Sequence, residues 1–228
     1  MVSANINIAS IQEKLIKNLP KPITFTKCEG DLKDSDNWME INCDSDLDIS
    51  TPVFMPKNTY DILCKHIQNP PRRGPFFLWF VGPIKSGKTT LLHNILPGII
   101  SQAYAATKAD PKLPCKKAPV IFKFRFDISE GVNAEKQALL LLKKLEAFGI
   151  QNNIPFRSPN QPEITDKTQA FHRFDDLIVA YAKRIYNEYN GELWLLLDEM
   201  QAIVLNSTPE LGIIFLGRFK SVGIIVAA

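Results

Sequence analysis

The sequence predicts an α/β fold. Two apolar runs, residues 76–81 and 193–197, have the length and continuity of strands that are buried on both faces. The first run leads through a glycine-containing loop into a helical pattern, and the second ends in two carboxylates, Asp198 and Glu199. Strands that alternate with helical segments in this way are typical of α/β proteins.

The size and composition of the chain fit one substantial core, or one core with a small appendage. The chain has 228 residues, of which 45% are hydrophobic and 22% are charged. A formal net charge of +3 is too small to indicate nucleic-acid binding by itself, and it does not exclude it. The four cysteines lack C-x-x-C spacing, which favours reduced thiols over a zinc site or redox pair.

The beginning of the chain does not resemble a signal peptide, because no apolar stretch follows Met1. No apolar run in the sequence reaches the length of a membrane span. We therefore expect an intracellular protein, cytoplasmic or nuclear, without a membrane partner.

The sequence divides into an acidic extension, residues 1–50, and a main domain, residues 51–228. Residues 9–18 predict a short helix with Ile11, Leu15 and Ile16 on one face. The stretch from 29 to 48 holds eight acidic residues and one basic residue. A calcium loop is excluded there, because residues 49 and 55 are Ile and Met where an EF-hand needs Gly and Glu. We expect a solvated extension, and expect any protein partner or second copy to bind through it.

Two helices are predicted on either side of the first apolar run. Thr59 is suited to cap a helix that runs to residue 68, with Ile62, Leu63 and Ile67 facing inward. The helix that follows the run and its loop is expected to reach about residue 106, with an interruption or kink at Pro97 and Gly98.

Residues 120–126 alternate between apolar and other side chains, with Lys123 and Arg125 on the second face, which predicts a strand at a sheet edge. The next helix begins after Asn133 and is expected to stop at Gly149. A further helix opens at Thr168. Its apolar side chains at steps of three and four favour core contacts over a surface for stacking bases, and they are Phe171, Phe174, Ile178, Tyr181, Ile185 and Tyr189.

The loop at residues 82–89, here named the glycine loop, has the spacing G-x-x-x-x-G-K-T between the predicted strand and the predicted helix. Glycines let backbone N–H groups turn toward an anion, and the helix dipole adds positive potential. We predict that the loop binds a nucleoside triphosphate, with Lys88 on the β- and γ-phosphates and the Thr89 hydroxyl on Mg²⁺. The predicted binding residues are Gly82, Pro83, Ile84, Lys85, Ser86, Gly87, Lys88, Thr89 and Thr90.

The two carboxylates after the second apolar run complete the predicted site. Asp198 is expected to hold the shell of the Mg²⁺ ion together with Thr89. Glu199 is expected to polarise an attacking water, so that Lys88 and Glu199 are the predicted catalytic residues. The alternative is that the two acids only mark the start of a helix after the strand.

The glycine loop, taken together with the run Asp198-Glu199-Met200-Gln201, resembles the P-loop ATPases that carry a catalytic glutamate, including the AAA+, STAND and "archaeal ATPase" groups. The resemblance covers about residues 52–228. It implies a three-layer α-β-α fold with a mainly parallel sheet, in which residues 222–227 form a strand between the other two. It also implies Mg²⁺-dependent hydrolysis of ATP, coupled to a conformational switch or to assembly. The family's sensor residue, last strand and helical lid have no counterpart before Ala228, so we expect a fragment or a degenerate copy that is incomplete at the C-terminus.

Three other functions share parts of this sequence pattern. Residues 107–110 resemble the guanine-specificity motif of GTPases, but they directly follow the helix after the glycine loop instead of a late strand. A small-molecule kinase would share the glycine loop, but it usually has an arginine-rich lid and does not need Glu199. A nucleotide-gated switch or scaffold that binds ATP with little turnover remains open.

Overall fold

A computed structural model describes residues 8–20, 24–27, 38–42, 53–68, 76–83, 86–109, 117–126, 134–152, 180–199 and 223–227. The helices are α1 (Ile8–Lys17), α2 (Lys57–Gln68), α3 (residues 88–109), α4 (Ala134–Gln151) and α5, described over residues 180–188. The strands are β1 (Thr24–Lys27), β2 (Trp38–Asn42), β3 (Val53–Pro56), β4 (Phe76–Phe80), β5 (Ala118–Arg125), β6 (Gly191–Asp198) and β7 (Gly223–Ala227). The chain is an α/β protein, as predicted.

The larger of the two sheets in the described part of the chain has four parallel strands in the order β4-β7-β6-β5. Strand β7 lies between β4 and β6, which confirms the expected place of the strand near the end of the sequence. Because all four strands run in one direction, their carboxyl ends lie at the same edge of the sheet. The glycine loop follows β4 at that edge, and Asp198 ends β6 there.

Strand β6 is buried along most of its length, and residues 193–198 are all 3% exposed or less. Strand β5 alternates as predicted: Phe122 and Phe124 are buried, whereas Lys123 and Arg125 are exposed. Its place at one end of the strand order confirms the predicted edge strand. The buried face of β5 packs on α4, where the rings of Phe122 and Phe148 meet edge to face at 5.3 Å.

Helices α2 and α3 cover the sheet with an apolar core. The core side chains that α3 and β6 contribute to this cluster are Leu92, Ile95, Leu96, Ile99, Ile100, Ala103, Trp194 and Leu196. Leu63 and Ile67 of α2 belong to the same cluster, so their predicted inward orientation is confirmed. Ile62 is 47% exposed, and its predicted inward orientation is wrong.

A second, three-stranded antiparallel sheet has the order β1-β2-β3. Strands β2 and β3 lie on either side of residue 50, so backbone pairing crosses the predicted boundary between extension and main domain. Helix α1 also contacts the rest of the chain, since the Lys14 ammonium donates to the carbonyl of Gln151 at 3.0 Å. The predicted helix is confirmed, and of its three apolar residues Ile11 and Leu15 are buried whereas Ile16 is 45% exposed.

Helix α2 begins at Lys57, so the prediction that Thr59 caps it is wrong. Pro56 ends β3 and α2 follows it directly. The ammonium of Lys57 bonds the Asp61 carboxylate at 2.6 Å, which supports the first turn through an i,i+4 contact. The helix therefore begins three residues earlier than a cap at Thr59 predicts, and a local pair supports its first turn.

Helix α3 runs through Pro97 and Gly98 to Ala109, so the predicted interruption at these two residues is wrong, and the irregular part of the helix is the segment just before them. Its segments are Lys88–Thr90, the π-helical Leu91–Ile95, and Leu96–Ala109. Pro97 has no N–H to donate to the carbonyl four residues earlier, which is that of His93. The Lys123 ammonium donates to this carbonyl instead, at 2.7 Å. A side chain from β5 thus replaces the bond that the proline removes.

Helix α4 passes through Gly149 and ends at Gln151, so the predicted stop at Gly149 is wrong. Gly149 is buried, and a Cβ at this position would lie 2.6 Å from Cζ of Tyr181 on α5. The glycine therefore permits close approach of another helix and does not end its own.

Within the ranges described, none of the helices has both the length and the apolar character that crossing a membrane requires. Several predictions lie outside the described residues: Asn133, Thr168, Phe171, Phe174, Ile178 and the acidic run at 44–48.

Candidate functional site

The sheet register places Asp198 and the glycine loop at one edge. In β4 and β7, Phe80 pairs with Ala227, and in β7 and β6, Val226 pairs with Leu197. Asp198 is therefore level with Phe80, two strands away. At about 4.8 Å per strand, the two backbones are roughly 10 Å apart. Strand β7 lies between them, and the glycine loop and the first turn of α3 follow β4 at this edge.

The glycine loop makes a tight connection from β4 to α3. The Ser86 N–H donates to the Pro83 carbonyl at 3.3 Å. Gly87 has a φ of 83°, in the left-handed region that glycine adopts without strain. Its carbonyl then accepts the Leu91 N–H at 2.9 Å, which begins the helical hydrogen bonding. Ile84 and Lys85, both predicted to bind, lie outside the described residues.

The Lys88 side chain folds back over this loop. Its ammonium donates to the carbonyl of Gly82 at 2.7 Å and to that of Pro83 at 2.9 Å. Thr89 and Thr90 follow in the first turn of α3 and are half-buried. The first N–H groups of a helix have no acceptor within it, so they are available to an anion at this end.

Asp198 ends β6 with its carboxylate almost fully buried, at 2% side-chain exposure. Its Oδ1 accepts the backbone N–H of Glu199 at 3.0 Å. Its Oδ2 is buried and has no hydrogen-bond partner. Nε2 of His93 lies 3.9 Å from this oxygen, and Nε of Arg125 lies 3.7 Å from it. One carboxylate oxygen is therefore fixed, while the other faces a nitrogen from α3 and a guanidinium from β5.

Glu199 follows Asp198 with a φ of 58°, which is uncommon for a residue other than glycine. Strained backbone of this kind is concentrated at functional sites. The Glu199 carboxylate accepts a hydrogen bond from Nη2 of Arg125 at 3.2 Å. Since Arg125 is 59% exposed and Glu199 is 18% exposed, solvent screens much of this ion pair.

His93 lies one helical turn beyond Thr89 on α3, in the π-helical segment that packs on β6. Burial lowers the pKa of the His93 imidazole, and this outweighs the opposite effect of the Asp198 charge. The nearby charges of Lys123 and Arg125 lower the pKa of His93 further. Lys123 is exposed over part of its side chain, but its ammonium lies against the His93 carbonyl, and burial there lowers the pKa of that ammonium. The imidazole is therefore neutral at neutral pH, and its approach to Asp198 is a contact of polar groups and not an ion pair.

The structure thus brings Asp198 and Glu199 together with three residues that were not predicted as site residues: His93, Lys123 and Arg125. Two local signals were present in the sequence. His93 is four residues after Thr89 and so shares a helix face with it. Arg125 ends β5 and pairs with Asp198 in the sheet register. Neither signal identifies a site without the strand order.

The residues that resemble a guanine-specificity motif begin in the last turn of α3, and Asp110 lies outside the described residues. The Thr107 hydroxyl is buried and donates to the Tyr104 carbonyl at 3.1 Å. At 1.5 Å per residue, Lys108 lies about 30 Å along the helix from Lys88. These residues are therefore at the opposite end of α3 from the glycine loop, where they do not reach a base bound beside it.

Over the described ranges, no group of three or more His, Cys, Asp or Glu side chains is arranged to hold a metal ion. The unpartnered Oδ2 of Asp198 is an anionic acceptor at the sheet edge that a divalent cation or its bound water fits. A Mg²⁺ ion needs few protein ligands when phosphate oxygens and waters complete its shell. The residues present thus fit a cation that enters together with a phosphate ligand.

Comparisons with protein-family models, with curated proteins and with solved structures give no significant match. The function of the chain must therefore be argued from the site itself.

Proposed function

We propose that the chain is a P-loop nucleoside triphosphatase of the catalytic-glutamate type, with the three-layer fold that this implies, and that it binds ATP with Mg²⁺ and hydrolyses it. One observation carries the proposal. The glycine loop, with the Lys88 ammonium bonded to its carbonyls, lies at the same sheet edge as the buried and half-satisfied carboxylate of Asp198. A cationic loop and an acidic residue two strands apart at one sheet edge suit a nucleoside triphosphate and its cation.

The glycine loop and the first turn of α3 supply the binding groups. The ammonium of Lys88 has three donors, and the two that now bond Gly82 and Pro83 can turn to phosphate oxygens with a change of side-chain torsions. The N–H groups at the start of α3 add donors, and the hydroxyl of Thr89 is the predicted metal ligand. Charge-assisted bonds of this kind are about twice as strong as neutral ones.

Asp198 and Thr89 would hold the Mg²⁺ ion, and that ion supplies neutralisation of the charge that develops on the phosphate oxygens. Asp198 contributes through Oδ2, since Oδ1 already accepts the Glu199 N–H. Glu199 contributes as the base that orients and polarises water, because it directly follows Asp198 at the edge of the sheet. Its left-handed backbone turns the chain away from the strand direction at this residue.

A nucleotide-gated switch with little turnover is the second candidate, and the bond between Arg125 and Glu199 favours it. A carboxylate that is bonded to a guanidinium at 3.2 Å is turned toward that group and is not placed to orient an attacking water. Hydrolysis then requires this contact to open. If it stays closed, the chain binds ATP and changes conformation without turning it over.

The test is to measure ATP affinity and phosphate release on the same preparation with Mg²⁺ present. Saturable binding together with release above a protein-free control supports the ATPase. Saturable binding without release above that control supports the switch. Absence of ATP binding at millimolar nucleotide contradicts both candidates and with them the proposed function.

A further inference from the structure

The inference concerns His93 and rests on the proposed function, because it deals with the cation that accompanies the nucleotide. His93 belongs to the π-helical segment Leu91–Ile95. Its side-chain nitrogen Nε2 approaches the carboxylate of Asp198 at the candidate site. That segment packs on β6, and its neighbours Leu92 and Ile95 are buried in the core. The imidazole is therefore held in place by the packing of α3.

The contact between His93 and Asp198 joins two unsatisfied atoms. Nε2 of His93 and Oδ2 of Asp198 are both buried, both lack a hydrogen-bond partner, and lie 3.9 Å apart. Buried polar atoms without partners are rare and need an explanation. A side-chain shift of less than an ångström, or one bridging water, would satisfy both atoms at once.

The chemistry of the pair indicates which group donates. Asp198 is an acceptor only, so the facing nitrogen must carry the proton. The His93 atom that faces Oδ2 of Asp198 is Nε2, at 3.9 Å. An Nε2–H tautomer then donates to the carboxylate and leaves Nδ1 as an acceptor.

The backbone of His93 is also anchored. Its carbonyl, which cannot bond to Pro97, accepts the Lys123 ammonium at 2.7 Å. Nε2 of His93 does not itself ligate the cation in this arrangement, because a ring nitrogen that carries a proton is a donor only. The imidazole of His93 thus faces the carboxylate of Asp198, which is proposed to bind the cation. Its helix is packed on the sheet, and its Nε2–H can donate a hydrogen bond.

We propose that His93 is a positioning residue for the cation site: its Nε2–H holds Oδ2 of Asp198, directly or through one water, and so aims the carboxylate at the Mg²⁺ ion that enters with ATP. Residues that orient a metal ligand in this way typically change metal affinity by about 10–100-fold when they are removed.

The experiment compares His93→Leu, which removes the donor, with His93→Gln, whose amide nitrogen can occupy a place similar to Nε2. The control is His66→Leu, at an exposed residue of α2. ATP affinity is measured by calorimetry over a series of Mg²⁺ concentrations and in EDTA, and thermal unfolding checks that each variant is folded. We expect His93→Leu to need about 10–100-fold more Mg²⁺ for tight binding, with unchanged affinity in EDTA. We expect His93→Gln to resemble the wild type.

Two results overturn the inference: normal Mg²⁺ dependence in His93→Leu, or equal loss in His93→Leu and His93→Gln. If Asp198→Asn and Lys88→Ala also leave ATP binding unchanged, the proposed function itself fails. Should His93→Leu not fold, ¹⁵N-histidine NMR of the wild type decides, with the signal assigned from the His93→Gln spectrum. A neutral ring protonated at Nε2 supports the inference, and a ring protonated at Nδ1 alone overturns it.

Discussion

Gly149 lies in van der Waals contact with the ring of Tyr181, so that helices α4 and α5 meet at a point where no side chain intervenes. A Cβ built on Gly149 would be 2.6 Å from Cζ and 2.8 Å from Cε1 of that ring. Both residues are buried, and Tyr181 is only 1% exposed, so the ring cannot move toward solvent without leaving the core. The absence of a side chain at Gly149 therefore sets how closely the two helices pack.

Gly149→Ala is expected to lower the free energy of unfolding by about 1–3 kcal/mol, because an overpacked core forces side chains and backbone to shift. In an exposed helix interior the same change would instead raise the free energy of unfolding by up to about 1 kcal/mol. Denaturant unfolding of Gly149→Ala, of Tyr181→Phe and of the double variant measures the coupling between them. Tyr181→Phe removes the nearest atom, so it should restore part of the loss. A more stable Gly149→Ala variant would refute the close contact.

Glu199→Gln is expected to leave ATP and Mg²⁺ binding nearly intact and to lower hydrolysis by about 10²–10⁴-fold, because the amide cannot accept the proton of the attacking water. Phosphate release under single-turnover conditions measures the effect, and calorimetry checks binding. Glu188→Gln is a matched control, since this glutamate pairs with Arg184 on α5 in an i,i+4 contact. An unchanged rate in Glu199→Gln would remove Glu199 as the base.

Asp198→Asn is expected to weaken ATP binding in Mg²⁺ and to change it little in EDTA, because the lost charge serves the cation. Stability should fall as well, since the carboxylate is buried and accepts the Glu199 N–H at 3.0 Å. Affinity as a function of Mg²⁺ concentration separates the two effects. A loss of equal size in Mg²⁺ and in EDTA would indicate structural damage instead of a role in holding the cation.

Cys64 is expected to react slowly with iodoacetamide at pH 8. Burial raises the pKa of the Cys64 thiol and the charge of Asp61 adds to this, against a hydrogen bond with Tyr60 that lowers it. A raised pKa means that less of the thiol is ionised at a given pH. An ordinary thiol has a pKa of about 8.5, and its alkylation rate levels off above that pH. The alkylation rate of Cys64 should still increase with pH in that range. Peptide-resolved mass spectrometry over a pH series measures it, with the denatured chain as reference. Equal rates in both states would contradict the prediction.

The sequence predicted those parts of the structure that depend on local pattern. The continuous apolar run before Asp198 indicates a buried strand, and the alternation around Lys123 and Arg125 indicates an edge strand, because a strand's side chains report directly on its two faces. The glycine loop and Asp198 resemble those of P-loop ATPases, and this resemblance predicted that β7 lies between β4 and β6. The backbone pairing agrees with that prediction.

The parts that the sequence did not predict depend on partners far away along the chain. Gly149 suits a helix end as well as a close helix contact, and only Tyr181 on another helix decides between the two. A proline often ends a helix, but here the Lys123 ammonium from β5 donates to the His93 carbonyl that Pro97 cannot bond. His93 is a single histidine in an apolar helix, and its significance appears only when β6 brings Asp198 to it.

The central claim is that the glycine loop binds the phosphates of ATP through Lys88. Calorimetric titration of Mg²⁺ and ATP into the wild type, Lys88→Ala and Lys108→Ala tests it most directly, since Lys108 is an exposed lysine at the other end of the same helix. We expect Lys88→Ala to weaken binding by about 1.5–3 kcal/mol, the value of a charge-assisted bond to phosphate, and Lys108→Ala to match the wild type. Equal ATP affinity in all three proteins would contradict the account.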